Sequence, residues 1–321
     1  MRRPLDHPIA DPTGAPSSPV PGESRPPRRP KDGALPRAIP QAPSGRQRTY
    51  QKQVDAIAQR LSDRDLAILE SVAAHRFLTI EQIQALHFQG HASRATAARA
   101  ARRAAARLRS LRVLGELDRR VGGITAGSSP LAHYVDVVGA RILANRSGHT
   151  SSHRLPPDPS TRFLDHCLAI ADARVAVQSA IDADPDVTIT ELAIEGAATR
   201  RYAGPGGAGQ SLRPDMYLVT QTTEYEDAWF IEIDRGTESI PTLTKKCQQY
   251  VDYRASGREQ ERTGFFPLVI WSMTATTPER AARRQAALTE AIDRDPRLPS
   301  ELFRIVAPGD LPALILRGGD L

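Results

Sequence analysis

Cysteine, aromatic side chains and long apolar runs are all scarce in this chain of 321 residues, and each scarcity closes off a class of protein. The two cysteines, Cys167 and Cys247, stand far apart. Two thiols cannot build a disulfide framework or a cysteine-rich zinc site, and both fall within helical periodicity, so buried free thiols are expected. Aromatics make up 5% of the chain, so its cores must be built mainly from Leu, Ile, Val and Ala. No apolar run approaches the ~20 residues a membrane span needs. The opening MRRPLDHPIADP lacks the apolar segment of a secretory signal. A cytoplasmic protein with no membrane partner is the expectation.

The remaining composition is ordinary for globular protein, with 40% apolar and 25% charged residues. At roughly 150 residues per domain, the length predicts two domains. The formal net charge of +6 points toward a polyanionic partner.

Residues 1–48 hold 12 of the 26 prolines, with arginines scattered among Ser and Gly. Such a stretch cannot bury enough apolar surface to offset its ordering entropy, so a disordered tail is expected. Order is expected from Tyr50. Ser62 or Asp63 can cap a helix through DLAILESVAAHR, and Thr79 can cap IEQIQALHF. A long helix is predicted from about Arg94 to Val113, ended by Gly115, and then two β-like runs, GELDRRVG and AHYVDVV. Helix, helix, long helix and hairpin is the order of a winged helix-turn-helix, placed at 49–145. Residues 146–160 read as a linker. An α/β domain in the order α-β-β-β-α-β is placed at 161–310, and residues 311–321 read as a tail. The fold class expected is α/β (α+β).

Acid is missing where arginine is densest. Between Ser93 and Val113 stand Arg94, Arg99, Arg102, Arg103, Arg107, Arg109 and Arg112, with no Asp or Glu. At helical spacing Ala97, Ala101, Ala104, Leu108 and Leu111 share the opposite face. A solvated charged face normally mixes signs to gain i,i+4 pairs. Here 99/103 and 103/107 repel unless an anion neutralises them. Arginine suits phosphate and guanine edges because its planar fork donates two parallel hydrogen bonds. Double-stranded DNA is therefore the expected partner, with Arg119 and Arg120 in the wing on adjacent phosphates.

In the second half, Asp215 follows Pro214 in a predicted strand, and Glu232 and Asp234 share one face of the next. Asp215, Glu232 and Asp234 are the candidate ligands for a hard divalent cation, taken as Mg²⁺, that would activate water for attack on a phosphodiester. This half resembles the PD-(D/E)xK nuclease-like, or restriction-endonuclease-like, fold. The resemblance implies catalytic roles for Asp215, Glu232 and Asp234, although Asp234 stands where that pattern has lysine. Lys246, on the following helix with Tyr250 one turn later, is the candidate replacement, ahead of Lys245. Glu191, Glu195, Glu238, Asp165 and His166 are further candidates for the same pocket.

Together, RFLDHCLAI (162–170), LRPD (212–215), FIEIDRGTE (230–238), Lys246 and Tyr250 resemble the replication-relaxation family of plasmids and mobile elements. The resemblance spans about residues 60–310. It implies a role in plasmid replication and relaxation of plasmid DNA, with metal-dependent nicking as the candidate chemistry. A homodimer and other plasmid replication proteins are the protein partners it brings into view. Two rivals stand beside it. One is a non-enzymatic initiator or regulator whose nuclease-like domain is a scaffold. The other is a tyrosine relaxase using Tyr250 or Tyr253, which the lack of any His-hydrophobic-His triplet opposes.

Overall fold

A computed structural model describes residues 2–4, 45–120, 131–148, 159–204 and 207–319. The first half opens with a short strand, β1 (Arg2–Pro4), followed by α1 (Gly45–Ala58), α2 (Asp63–His75), β2 (Leu78–Thr79), α3 (Ile80–His87) and α4 (Arg94–Ser110). A hairpin of β3 (Leu114–Arg120) and β4 (Leu131–Val135) then leads to α5 (Val137–Ser147). Ser62 and Thr79 each form a capping box, so α2 and α3 begin where their cap residues predict. The three strands pair in the order β2-β4-β3. The helices bury Ile68, Leu69, Val72, Ile83, Ala101 and Leu108 in one core.

The second half starts with α6 (Thr161–Asp182) and β5 (Thr188–Ile194). A separate hairpin, β6 (Arg200–Ala203) and β7 (Gly209–Leu212), precedes β8 (Met216–Gln221) and β9 (Tyr225–Asp234). Then come α7 (Ile240–Ala255), α8 (Arg258–Thr263), β10 (Leu268–Met273), α9 (Pro278–Arg294), β11 (Phe303–Val306) and α10 (Leu311–Leu316). The main sheet runs β11-β10-β9-β8-β5, with β5, β8 and β9 antiparallel and β9, β10 and β11 parallel. Strand parity assigns its faces. Phe230 packs with Tyr250, Tyr253 and Leu288 beneath α7 and α9, while Trp229 and Ile231 pack with Ile170 and Leu311 from α6 and α10.

Several expectations change. Arg2–Pro4 pairs antiparallel with Tyr225–Asp227, and α1 begins at Gly45, so secondary structure is assigned at 2–4 and 45–48 of the span read as a tail; residues 1 and 5–44 lie outside the described residues. The run AHYVDVV is a strand only to Val135, because Asp136 caps α5. That helix reaches Ser147, inside the span read as a linker, of which 149–158 lie outside the described residues. Residues 311–316 are helix α10 rather than tail, with Leu311, Leu314 and Ile315 buried in the second core. The long arginine helix ends at Ser110.

The halves share α6. Ala171 of α6 lies in the core of the first half, and Gln82 Nε2 donates to Leu168 O at 3.0 Å and Asp172 Oδ1 at 2.7 Å. Among the described residues, no helix is long and apolar enough to cross a membrane.

Candidate functional site

Two surfaces gather the residues singled out in the sequence. The first is α4. Ser93 accepts from the Thr96 amide to start it, and the alanine-rich sequence favours the helix throughout. Ala97, Ala101, Ala105 and Leu108 are buried; Ala105 takes the place expected of Ala104, which with Leu111 is half-buried. Arg94, Arg99, Arg102, Arg103, Arg107 and Arg109 are all exposed. They are not equivalent. Arg107 pairs with buried Asp65 at 2.5 Å, Arg109 with Glu116, and Arg112 with Asp136 at 3.1 Å. Among the described residues, Arg94, Arg99, Arg102 and Arg103 meet no carboxylate, so the uncompensated charge is concentrated on the first ten residues of the helix. Arg119 and Arg120 end β3, and their side chains lie outside the described residues.

The second surface is a cavity of about 270 Å³ at the end of the main sheet. Asp215, Glu232, Asp234, Lys246 and His166 all line it, so strand parity and helix spacing did bring the predicted residues together. Asp215 sits just before β8 rather than within it. Its Oδ2 accepts from the Ile233 amide at 2.8 Å, and its Oδ1 lies 3.3 Å from His166 Nε2. Burial pushes the Asp215 carboxyl up, but the His166 bond, the charges of Lys246 and His166 and the Ile233 amide bring it below the usual range. The same Asp215 bond raises His166 despite its partial burial.

Glu232 is buried, 1% exposed, and holds two donors: Lys246 Nζ at 2.5 Å and the Tyr250 hydroxyl. Burial, with the Asp215 charge, pushes Glu232 up to about 7, against the pull of Lys246 and Tyr250. Burial lowers the Lys246 ammonium, but Glu232 and Asp215 outweigh it and hold it charged. Tyr250 is raised well above the ordinary phenol value, by burial and then by Glu232.

Asp234 departs from its expected role. Arg284 of α9 grips its Oδ2 through Nε at 3.1 Å and Nη2 at 2.7 Å, and the Gly236 amide donates to Oδ1. Arg284 also donates to Glu238 O, so it staples the loop after β9. Each carboxylate of the expected metal set is thus already met by a cation or donor. Among the described residues, no three His, Cys, Asp or Glu side chains are placed to hold one metal ion. As arranged here, the set Asp215, Glu232 and Asp234 does not fit a shared Mg²⁺.

The remaining candidates separate. Asp165 pairs with Arg235 at 3.2 Å, Glu191 with Arg262 at 3.2 Å and Glu195 with Arg76 at 2.5 Å. Glu238 lines the cavity with an exposed side chain. Tyr250 and Tyr253 are buried at 0% and 3%, the latter donating to Glu259, so neither phenol is open to a DNA strand. Cys167 and Cys247 are free and buried, each pushed up to about 12 chiefly by burial, which keeps them inert thiols. Arg284 is the residue that sequence reasoning missed. Its signal was present in PERAARRQ, where Arg280, Arg283 and Arg284 recur at i, i+3 and i+4.

No curated protein and no solved structure matches the chain. The family model described as replication-relaxation matches residues 69–269, a span that takes in α4, Asp215, Glu232, Asp234 and Lys246. That match covers more than half of the chain, which therefore belongs to the replication-relaxation family.

Proposed function

We propose that this family member, whose role is in replication-related DNA processing, works by docking double-stranded DNA on the arginine face of α4 during plasmid or mobile-element replication. The observation that carries the reading is the exposed set Arg94, Arg99, Arg102 and Arg103, which has no carboxylate partner among the described residues. Such a set is repulsive in isolation and becomes favourable when phosphates displace its counterions. The sequence of elements supports it: the order α2-β2-α3-α4-β3-β4, with strands paired β2-β4-β3, is compatible with a winged helix, in which α4 would be the helix that enters the major groove. The test is the salt dependence of binding. Arg99→Ala with Arg103→Ala should weaken binding and lower the slope of log K against log salt by about 0.9 for each phosphate no longer neutralised. A slope equal to that of the wild type removes α4 from the interface.

A second reading, nicking of the docked DNA, is favoured by one feature of the cavity. Asp215, Glu232 and Lys246 line it together, at the end of a mixed sheet ordered β5-β8-β9-β10, which is compatible with the PD-(D/E)xK resemblance of the sequence. Against it, a non-enzymatic role is favoured by the carboxylates' existing partners, Lys246 and Arg284. Supercoiled plasmid incubated with the protein and Mg²⁺ decides between them. Nicking that Asp215→Ala abolishes supports the nuclease, and plasmid left intact by the wild type supports the scaffold.

A further inference from the structure

The charge at the mouth of the cavity differs from that on its floor. Asp215 and Glu232 lie inside. Of the more exposed lining, Arg162 has no carboxylate partner among the described residues and donates only to Thr237 O, Arg235 is paired with Asp165 and Glu238 adds one carboxylate, while Arg284 of α9 reaches Asp234 from outside. Arg284 belongs to the first turns of α9, which hold Arg280 and Arg283 as well. Residues three and four apart share a helix face, so Arg280 projects on the same side as Arg283 and Arg284. Arg284 reaches from this turn to Asp234 and Glu238 O, both residues of the cavity lining, so the first turns of α9 stand beside the cavity, with Arg280 close to Arg284 around the helix and Arg283 about a quarter-turn away. Arg280 and Arg283 are exposed, and among the described residues neither has a carboxylate within ion-pair distance. The acid in this turn, Glu279, is held by its own amide and by the capping Thr277. This is the same signature as α4: neighbouring guanidiniums of one sign with nothing to neutralise them.

The two basic surfaces adjoin. Arg94, at the start of α4, lines a groove of about 550 Å³ together with Arg235, and Arg235 also lines the cavity. The groove's walls carry Glu81, Asp165 and Asp172, so a polyanion would pass across it rather than settle into it.

We infer that the cavity rim is a second DNA-backbone contact, in which Arg162, Arg280 and Arg283 hold phosphates of the duplex that α4 docks, so that one DNA molecule spans both halves of the chain. This rests on the DNA-docking reading above and adds to it residues and a path that α4 alone does not supply. It requires no bond to be broken and holds whether or not the cavity cuts DNA.

The experiment uses the full chain and a labelled random-sequence duplex, with binding followed by fluorescence anisotropy across a salt series. Arg162→Ala, Arg280→Ala and Arg283→Ala combined should lower the slope of log K against log salt by about 0.9 per phosphate released, up to about 2.7 for the three. The corresponding triple lysine variant keeps the charge and should keep the slope. The footprint, read as the shortest duplex that still binds with full affinity, should shorten both in the alanine variant and in the α4 double variant. If wild type binds and the α4 variant weakens while the rim variant keeps the wild-type slope and footprint, the rim contact is overturned and the docking reading stands. If wild type fails to bind the duplex at all, both fall. An alanine variant that loses its thermal unfolding transition is replaced by Arg283→Glu alone, which should weaken binding beyond the effect of neutralising one arginine; unchanged binding overturns the inference.

Discussion

Glu232 illustrates how burial and pairing compete at a single residue. Taking its carboxylate out of water favours the neutral acid, while Lys246 at 2.5 Å and the Tyr250 hydroxyl favour the anion. Burial wins by enough to leave Glu232 raised from 4.5 to about 7. The native state therefore binds a proton that the unfolded chain releases between those values, and stability contributed by that proton is lost as pH rises through 7. Glu232→Gln cannot titrate. Between pH 5 and pH 8 the wild type should lose on the order of 2 kcal/mol of unfolding free energy relative to the glutamine variant, as read by urea titration at both pH values. An equal difference at both pH values would mean that Glu232 titrates at its ordinary value. The placing of Glu232 was legible, since residues two apart in a strand share a face and Lys246 and Tyr250 share a helix face. The diversion of Asp234 was not, because its partner, Arg284, lies 50 residues further on and only the crossover through β10 brings it back.

At the scale of elements, legibility depended on whether the local signals agreed. Ser62 and Thr79 stand three residues ahead of a capping partner and just before an apolar periodicity, and both helices start there. Helix α5 gave conflicting signals. VVGARILAN follows the strand with only Asp136 between them, and Gly139 reads as a breaker. The structure explains that glycine by close approach. A Cβ at position 139 would lie 2.2 Å from the Val113 carbonyl and 2.9 Å from Leu69 Cδ1. Alanine would gain about 1 kcal/mol of helix propensity over glycine. The backbone contact outweighs it, because α5 must move off the Val113 backbone, just before β3, and off Leu69 in the core. Gly139→Ala should destabilise the chain by about 2 kcal/mol, seen as a lower urea midpoint with an unchanged m-value. A midpoint at or above that of the wild type would show that α5 has room to shift. Helix α10 was missed for another reason: six residues are too few to show a period, and its burial is decided by the face of the sheet it covers.

For the whole molecule, the question is whether the two halves behave as one body, as a DNA path across both would require. Helix α6 argues that they do. It contributes Ala171 to the first core, accepts from Gln82 at two points, and packs Ile170 and Val177 against the main sheet. Arg76 adds an ion pair to Glu195 at 2.5 Å. Protonation of the first half offers a probe. His133 is 4% exposed, and burial, with the charge of Arg109, lowers it to about 4. The unfolded chain takes up that proton near pH 6.5, so the stability tied to neutral His133 is present at pH 7 and lost as pH falls toward 4. Between pH 7 and pH 5 this amounts to about 2 kcal/mol. His87, also lowered to about 4 chiefly by burial, and His75, lowered as well, act with the same sign as His133, and Glu232 acts with the opposite sign over part of the range, so the wild-type pH profile blends them and single-site variants are needed to separate them. Both tryptophans, Trp229 and Trp271, lie in the second half. If the halves unfold together, tryptophan fluorescence will report a proton taken up in the first half. His133→Asn should then reduce the loss of stability from pH 7 to pH 5 by about 2 kcal/mol in the tryptophan-detected urea transition. A tryptophan transition indifferent to that substitution, alongside a circular-dichroism transition that responds to it, would show two bodies unfolding separately and would leave α6 a tether rather than a shared element.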